Sequence, residues 1–136
     1  MSTRYSIDPQ RHVVLTVFEG EVSDTDLRAH VEALEADARF DREMAELVDM
    51  SRVTRASVTS DGIRAVASAP VHAPNARRAF VAPTDLLYGL SRMYQSYWSR
   101  GHDDEVAIFR SVEPALQWLG VGPPPSALGD EHRVNQ

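Results

Sequence analysis

From about residue 4 to residue 119, short apolar runs rich in β-branched residues alternate with amphipathic helical runs. The clearest unit lies between Arg77 and Trp98. Arg78-Ala79-Phe80-Val81 reads as a short strand that breaks at Ala82-Pro83, and a helix opens at Thr84-Asp85. Leu86, Leu87, Leu90, Met93, Tyr94, Tyr97 and Trp98 then recur at helical spacing on one broad face. His12–Glu19 is a strong strand, because Val13, Val14, Leu15, Thr16, Val17 and Phe18 are mostly β-formers. A shorter alternating segment, Arg4–Asp8, precedes it. The Asp8-Pro9-Gln10-Arg11 link suits a hairpin, so these two strands are expected to be antiparallel.

Ser23-Asp24-Thr25-Asp26 has the form of a capping box, with a carboxylate three residues after a serine. The helix it opens is expected to run to about Ala38, with Leu27, Val31, Leu34 and Ala38 on one face and Glu32, Glu35 and Asp37 opposite. Ala45–Met50 reads as the third strand and Ser51–Val58 as a polar, arginine-rich connection, which places Asp49 at a strand's carboxyl end. Thr59 or Ser60 caps a helix carrying Ile63, Val66 and Ala67, and Pro70 and Pro74 bound a loop. Gly101–Asp104 reads as a turn and Glu105–Arg110 as a fifth strand. Ser111 opens a last helix with Pro114 in its tolerant first turn and Gly120 as its stop.

The order β-β-α-β-α-β-α-β-α predicts an α/β fold: one mainly parallel five-stranded sheet, a single antiparallel strand near its edge, and helices packed on it. Residues 1–120 form the expected domain. The stretch 121–136, opening Val-Gly-Pro-Pro-Pro, is expected to be a flexible tail or an arm resting on another subunit.

Composition narrows the function. The chain of 136 residues has no cysteine, which excludes thiol catalysis, cysteine-bound zinc and disulfides. It has no lysine either, so no side-chain amine is present for Schiff-base chemistry. The net charge of −6 argues against general nucleic-acid binding, and Arg52, Arg55 and Arg64 are expected to be solvated. No apolar run is long enough for a membrane span and the first residues lack a signal core, so a cytoplasmic location is expected. The histidines show no metal spacing: His30 reads as a core residue at a helix interface, His72 lies in the proline-bounded loop, and His102 belongs to a polar turn. There is no G-x-S-x-G elbow and no phosphate loop, so neither an enzyme nor a bound cofactor is expected.

In open parallel sheets ligands bind beyond the carboxyl ends of the strands, which points to Asp49–Ser60, Ala82–Asp85 and Arg110–Glu113. Asp49 is a candidate acid there, with Arg52 as a pairing partner. Tyr88 and Arg92, four residues apart on one helix face, are candidates for holding an anion or a partner carboxylate. Gly89 between them carries a helix penalty of roughly 1 kcal/mol, which suggests close packing against another backbone or a ligand.

The element order, Leu47-Val48-Asp49-Met50 before a helix, and the tract Thr84-Asp85-Leu86-Leu87-Tyr88-Gly89-Leu90-Ser91-Arg92-Met93-Tyr94 resemble the SpoIIAA-like (STAS-like) family of small bacterial α/β proteins. The resemblance covers about Arg4 to Leu119. It implies a binding module that works through protein contacts. Classical members are anti-anti-sigma factors, switched by phosphorylation of a serine at the start of the second helix. The stretch matching their signature here is Thr59-Ser60-Asp61-Gly62-Ile63, which puts Asp61 where that serine would be and leaves Ser60 beside it. A carboxylate cannot be phosphorylated by a serine kinase, so no phospho-switch is expected.

The leading expectation is therefore a non-catalytic module that binds a protein partner or forms a homodimer around its second and third helices, with Asp49, Arg52, Ser60, Asp61, Tyr88 and Arg92 as candidate contacts. The alternative is a small carrier of an apolar or anionic, lipid-like ligand. Its pocket would be walled by Leu86, Leu90 and Met93, with Arg92 or Arg77 at the mouth.

Overall fold

The computed structural model describes residues 3–69, 71–98 and 105–121. The expected tail from residue 122 and the turn at 101–104 lie outside the described residues. Five strands form one sheet: β1 (Thr3–Asp8), β2 (Val13–Ser23), β3 (Ala45–Ser57), β4 (Arg78–Val81) and β5 (Val106–Phe109). Their spatial order follows the chain, β1-β2-β3-β4-β5. Edge strand β1 is antiparallel to β2, and the other three pairings are parallel. The α/β class and the single antiparallel pair at the edge are as the sequence pattern predicts.

Helices α1 (Asp24–Ala36), α2 (Ser60–Ala67) and α3 (Asp85–Trp98) make the three crossovers, and α4 (Val112–Leu119) follows β5. The strand order never reverses and crossovers share one hand, so all three crossover helices land on the same sheet face. The side chains of that face are Val14, Thr16 and Phe18 from β2, Glu46, Val48 and Met50 from β3, and Arg78 and Phe80 from β4. The opposite face carries Val13, Leu15, Leu47, Ala79 and Val81, which pack against Ala115, Leu116 and Leu119 of α4. Both faces of β2 and β3 are thus covered, which explains their near-continuous apolar character.

Local signals set the helix ends. Ser23 and Asp26 form the capping box: the Asp26 carboxylate accepts the Ser23 N–H at 2.8 Å and Ser23 Oγ accepts the Asp26 N–H. Thr59, not Ser60, caps α2, its Oγ1 accepting the Gly62 N–H at 3.0 Å. Asp24 reaches across from α1 to fix that cap, accepting both the N–H and the hydroxyl of Thr59 at 2.8 and 2.6 Å. These two bonds hold the Asp24 carboxyl below the usual carboxylate range. Gly120 ends α4 in the left-handed conformation, φ 77°, that glycine adopts without strain.

One boundary differs substantially from expectation. The stretch Ser51–Ser57 is not a loop, because β3 continues through it, paired with the second half of β2 from Glu19↔Arg52 to Ser23↔Ser57. Two register irregularities, at Val17/Glu19 and Gly20/Glu21, bend this ribbon. Asp49 therefore sits within a strand rather than at its end.

Candidate functional site

Between the sheet and helices α1, α2 and α3 lies a cavity of about 120 Å³. Its wall is overwhelmingly apolar. Phe18, Val48, Met50 and Phe80 rise from the sheet, Leu27, Val31 and Leu34 come from α1, Ile63 and Val66 from α2, and Leu87 and Leu90 from α3. Val22, Val53 and Ala56 of the bent β2–β3 ribbon line the end toward the strands' carboxyl termini. The α3 lining positions Leu87, Leu90, Ser91 and Tyr94 follow helical spacing at i, i+3, i+4 and i+7.

The polar groups gather at the other end, at the amino termini of β3 and β4. Glu46 is buried, and three donors converge on its carboxylate. Oε2 accepts the Thr16 hydroxyl at 2.7 Å and faces His30 Nε2 at 2.8 Å, while Oε1 faces His72 Nε2 at 2.8 Å. Burial alone would raise the Glu46 carboxyl, but the two imidazoles outweigh it and hold the group well below the usual carboxylate range. His72 also turns Nδ1 toward the Met44 carbonyl oxygen at 3.2 Å, so acceptors face both its nitrogens. His30 stands edge-on between Tyr5 and Phe18, and its Nδ1 has no hydrogen-bond partner among the described residues.

Arg78 lies beside this cluster. It is only 3% exposed, and Arg78 and Glu46 are register partners on the same face. They are not an ion pair: among the described residues Glu46 pairs with His30 and His72 instead. Arg78 Nη1 donates to the Tyr94 hydroxyl at 2.6 Å, and its guanidinium lies 3.6 Å from the centre of the Trp98 ring. Among the described residues, Nε and Nη2 have no hydrogen-bond partner and no carboxylate lies within ion-pair distance. Burial raises the Tyr94 hydroxyl's pKa, against the pull of Arg78, so Tyr94 is a neutral phenol at ordinary pH.

The residues singled out from the sequence lie elsewhere. Asp49 is buried but belongs to the β3 register that faces away from the cavity, and its Oδ1 accepts the Ser51 N–H at 2.9 Å. Arg52 is exposed on the ribbon. Ser60 and Asp61 are exposed on the first turn of α2, where Asp61 pairs with Arg64 at 3.7 Å. Tyr88 stacks under Arg110, 4.4 Å from its ring centre, while Arg92 is exposed. A Cβ on Gly89 would meet nothing within 4 Å, so no neighbour requires glycine there.

Of the pocket residues expected for a carrier, Leu90 lines the cavity. Leu86 is 62% exposed, and Arg77 is drawn to the opposite face, where it donates to the Trp118 carbonyl at 2.7 Å. The cation at the cavity is its neighbour Arg78. The position differs from expectation for a topological reason. Ligands sit beyond carboxyl ends where strand order reverses and adjacent crossovers part to opposite faces. This sheet has no reversal, so the space lies under the helices instead.

His30, Glu46, His72, Arg78 and Tyr94 were not among the sequence candidates. The available signal was periodicity: Glu46 and Arg78 occupy inward positions, in step with Val48 and Phe80, within otherwise apolar strands.

The molecule is an α/β domain whose three crossover helices roof an apolar cavity with a charged, buried base. The chain matches no protein-family model, and a search of the curated proteins returns no match.

Proposed function

We propose that this protein is a binding module for a small amphipathic ligand, held non-covalently with its apolar part under α1–α3 and its polar end at Arg78. The observation that carries the reading is the cavity of about 120 Å³, apolar along its length and polar only at its base. Ligand sites have this character, with a few placed polar groups in a mainly apolar concavity. A dry cavity of comparable size, about 150 Å³, is large enough for a benzene-sized molecule. The reading falls within the carrier alternative, with the site moved to the amino ends of β3 and β4.

The partner-protein alternative has less support on the surface. Leu86 is the large apolar side chain exposed among the described residues, and single exposed leucines are ordinary.

The test is calorimetric titration of the full chain with 1-hexanol and with hexanoate, repeated on Val66→Phe, which fills the cavity from α2. Saturable binding by the wild type, weakened at least tenfold in a folded Val66→Phe, is the expected result. Failure of both ligands to bind the wild type, or equal affinity in the filled variant, overturns the reading.

A further inference from the structure

From the arrangement around Arg78 we infer that the ligand's polar end is a planar monocarboxylate. The inference rests on the binding reading above and gives that site its chemical selectivity.

The argument begins with the guanidinium. Arginine stays protonated at all ordinary pH values, and a buried cation without a counter-ion is costly. Arg78 lacks a direct partner of that kind: it is 3% exposed, and no described carboxylate lies within ion-pair distance, the ionised Glu46 beside it being bound to His30 and His72. Stacking on Trp98 at 3.6 Å offsets part of that cost. The hydrogen-bonding geometry is more specific. Tyr94 occupies Nη1, and the donors left without partners are Nε and Nη2. Those two N–H groups form one edge of the guanidinium and point in parallel. A carboxylate presents two oxygens at the matching spacing, so the pair closes as a bidentate fork once the guanidinium turns that covered edge toward the ligand.

Charge separates a carboxylate from a phosphate monoester. The latter carries close to two negative charges near neutral pH. Among the described residues, Arg78 is the one cation without an acidic partner that lines the cavity, and the Glu46 carboxylate is close by. A second negative charge would be desolvated with nothing to balance it. An alcohol or amide fills the apolar space equally well but offers no charged pair of acceptors to the guanidinium edge.

The experiment compares hexanoate, 1-hexanol and hexyl phosphate on the full-length chain by calorimetric titration at neutral pH, in wild type and in Arg78→Met. Wild type should bind hexanoate at least tenfold more tightly than either competitor. Arg78→Met should lose that preference while still binding 1-hexanol. Hexanol binding that equals or exceeds hexanoate binding overturns the inference and leaves the cavity reading intact. So does tighter binding of hexyl phosphate, or a hexanoate preference that survives in Arg78→Met. No binding by any of the three overturns the cavity reading itself.

Discussion

Replacing Glu46 by leucine keeps the approximate volume and removes the acceptor on which three buried donors converge. Thr16 Oγ1 at 2.7 Å and the Nε2 atoms of His30 and His72 at 2.8 Å each lose their partner. Deleting one member of a buried charged network typically costs about 3–5 kcal/mol. In a domain of this size 1 kcal/mol moves the midpoint by about 3–5 °C, so Glu46→Leu should lower it by roughly 10–20 °C at pH 7. Glu46→Gln should cost less, because His72 can then keep its hydrogen on Nδ1, toward the Met44 carbonyl, and accept from the amide through Nε2. The pH dependence carries a definite sign. The folded-state pKa of Glu46 is depressed, so its contribution is full above the unfolded-state value of about 4.3 and is lost as pH falls toward the lower folded value. Urea unfolding followed by circular dichroism at pH 7 and at successive steps below pH 4.3 measures this. The gap between wild type and Glu46→Leu should narrow as the acid range is entered. A gap at pH 7 under about 1 kcal/mol, or one that widens on acidification, would refute the account of this cluster.

Two further substitutions probe the helices. Gly89→Ala should stabilise the protein by about 0.5–1 kcal/mol, since the position is helical and exposed and its new Cβ meets nothing; a lower midpoint in a thermal melt would contradict this. Gly62→Ala should cost about 1–3 kcal/mol, because its Cβ would occupy the space of the Asp24 carboxylate that Thr59 holds in place. In an Asp24→Ala background the same change should be nearly neutral, and a double-mutant cycle without coupling would show that the clash is relieved elsewhere.

Much of the fold was legible because the signals were local. Ser23 and Asp26 made the capping box their spacing announced, Gly120 stopped α4, and the run from Val13 to Phe18 was a strand buried on both faces. Element order then fixed the parallel pairings. The ribbon was missed because Glu19-Gly20-Glu21 and Ser51-Arg52 are polar. These segments remain paired although only Val22, Val53 and Ala56 turn to the cavity; most of the other side chains meet solvent, and the two register irregularities break the regular apolar alternation. The site was less legible because it is assembled from distant segments. His30 belongs to α1, Glu46 to β3, and His72 to the turn before β4; only the folded chain brings their atoms to 2.8 Å. Looking for acids at strand ends favoured Asp49 over Glu46, although the two face opposite sides of one sheet. Arg78 was hidden by its neighbour: adjacent strand residues point to opposite faces, so Arg77 and Arg78 have unrelated surroundings.

The agreement between strand order and chain order also bears on how the molecule comes into being. Each strand after the first pairs with the one synthesised just before it, so the sheet can grow along a single edge as the chain emerges, closing one hairpin and then one helix-containing crossover at each step. No strand waits for a distant later segment to be inserted beside it. The buried acid follows the same timetable. His30 and Thr16 precede Glu46, and His72 reaches the remaining oxygen only when the turn before β4 is made. Chain order thus supplies both partners of Glu46 Oε2 before the partner of Oε1, which comes only with residue 72.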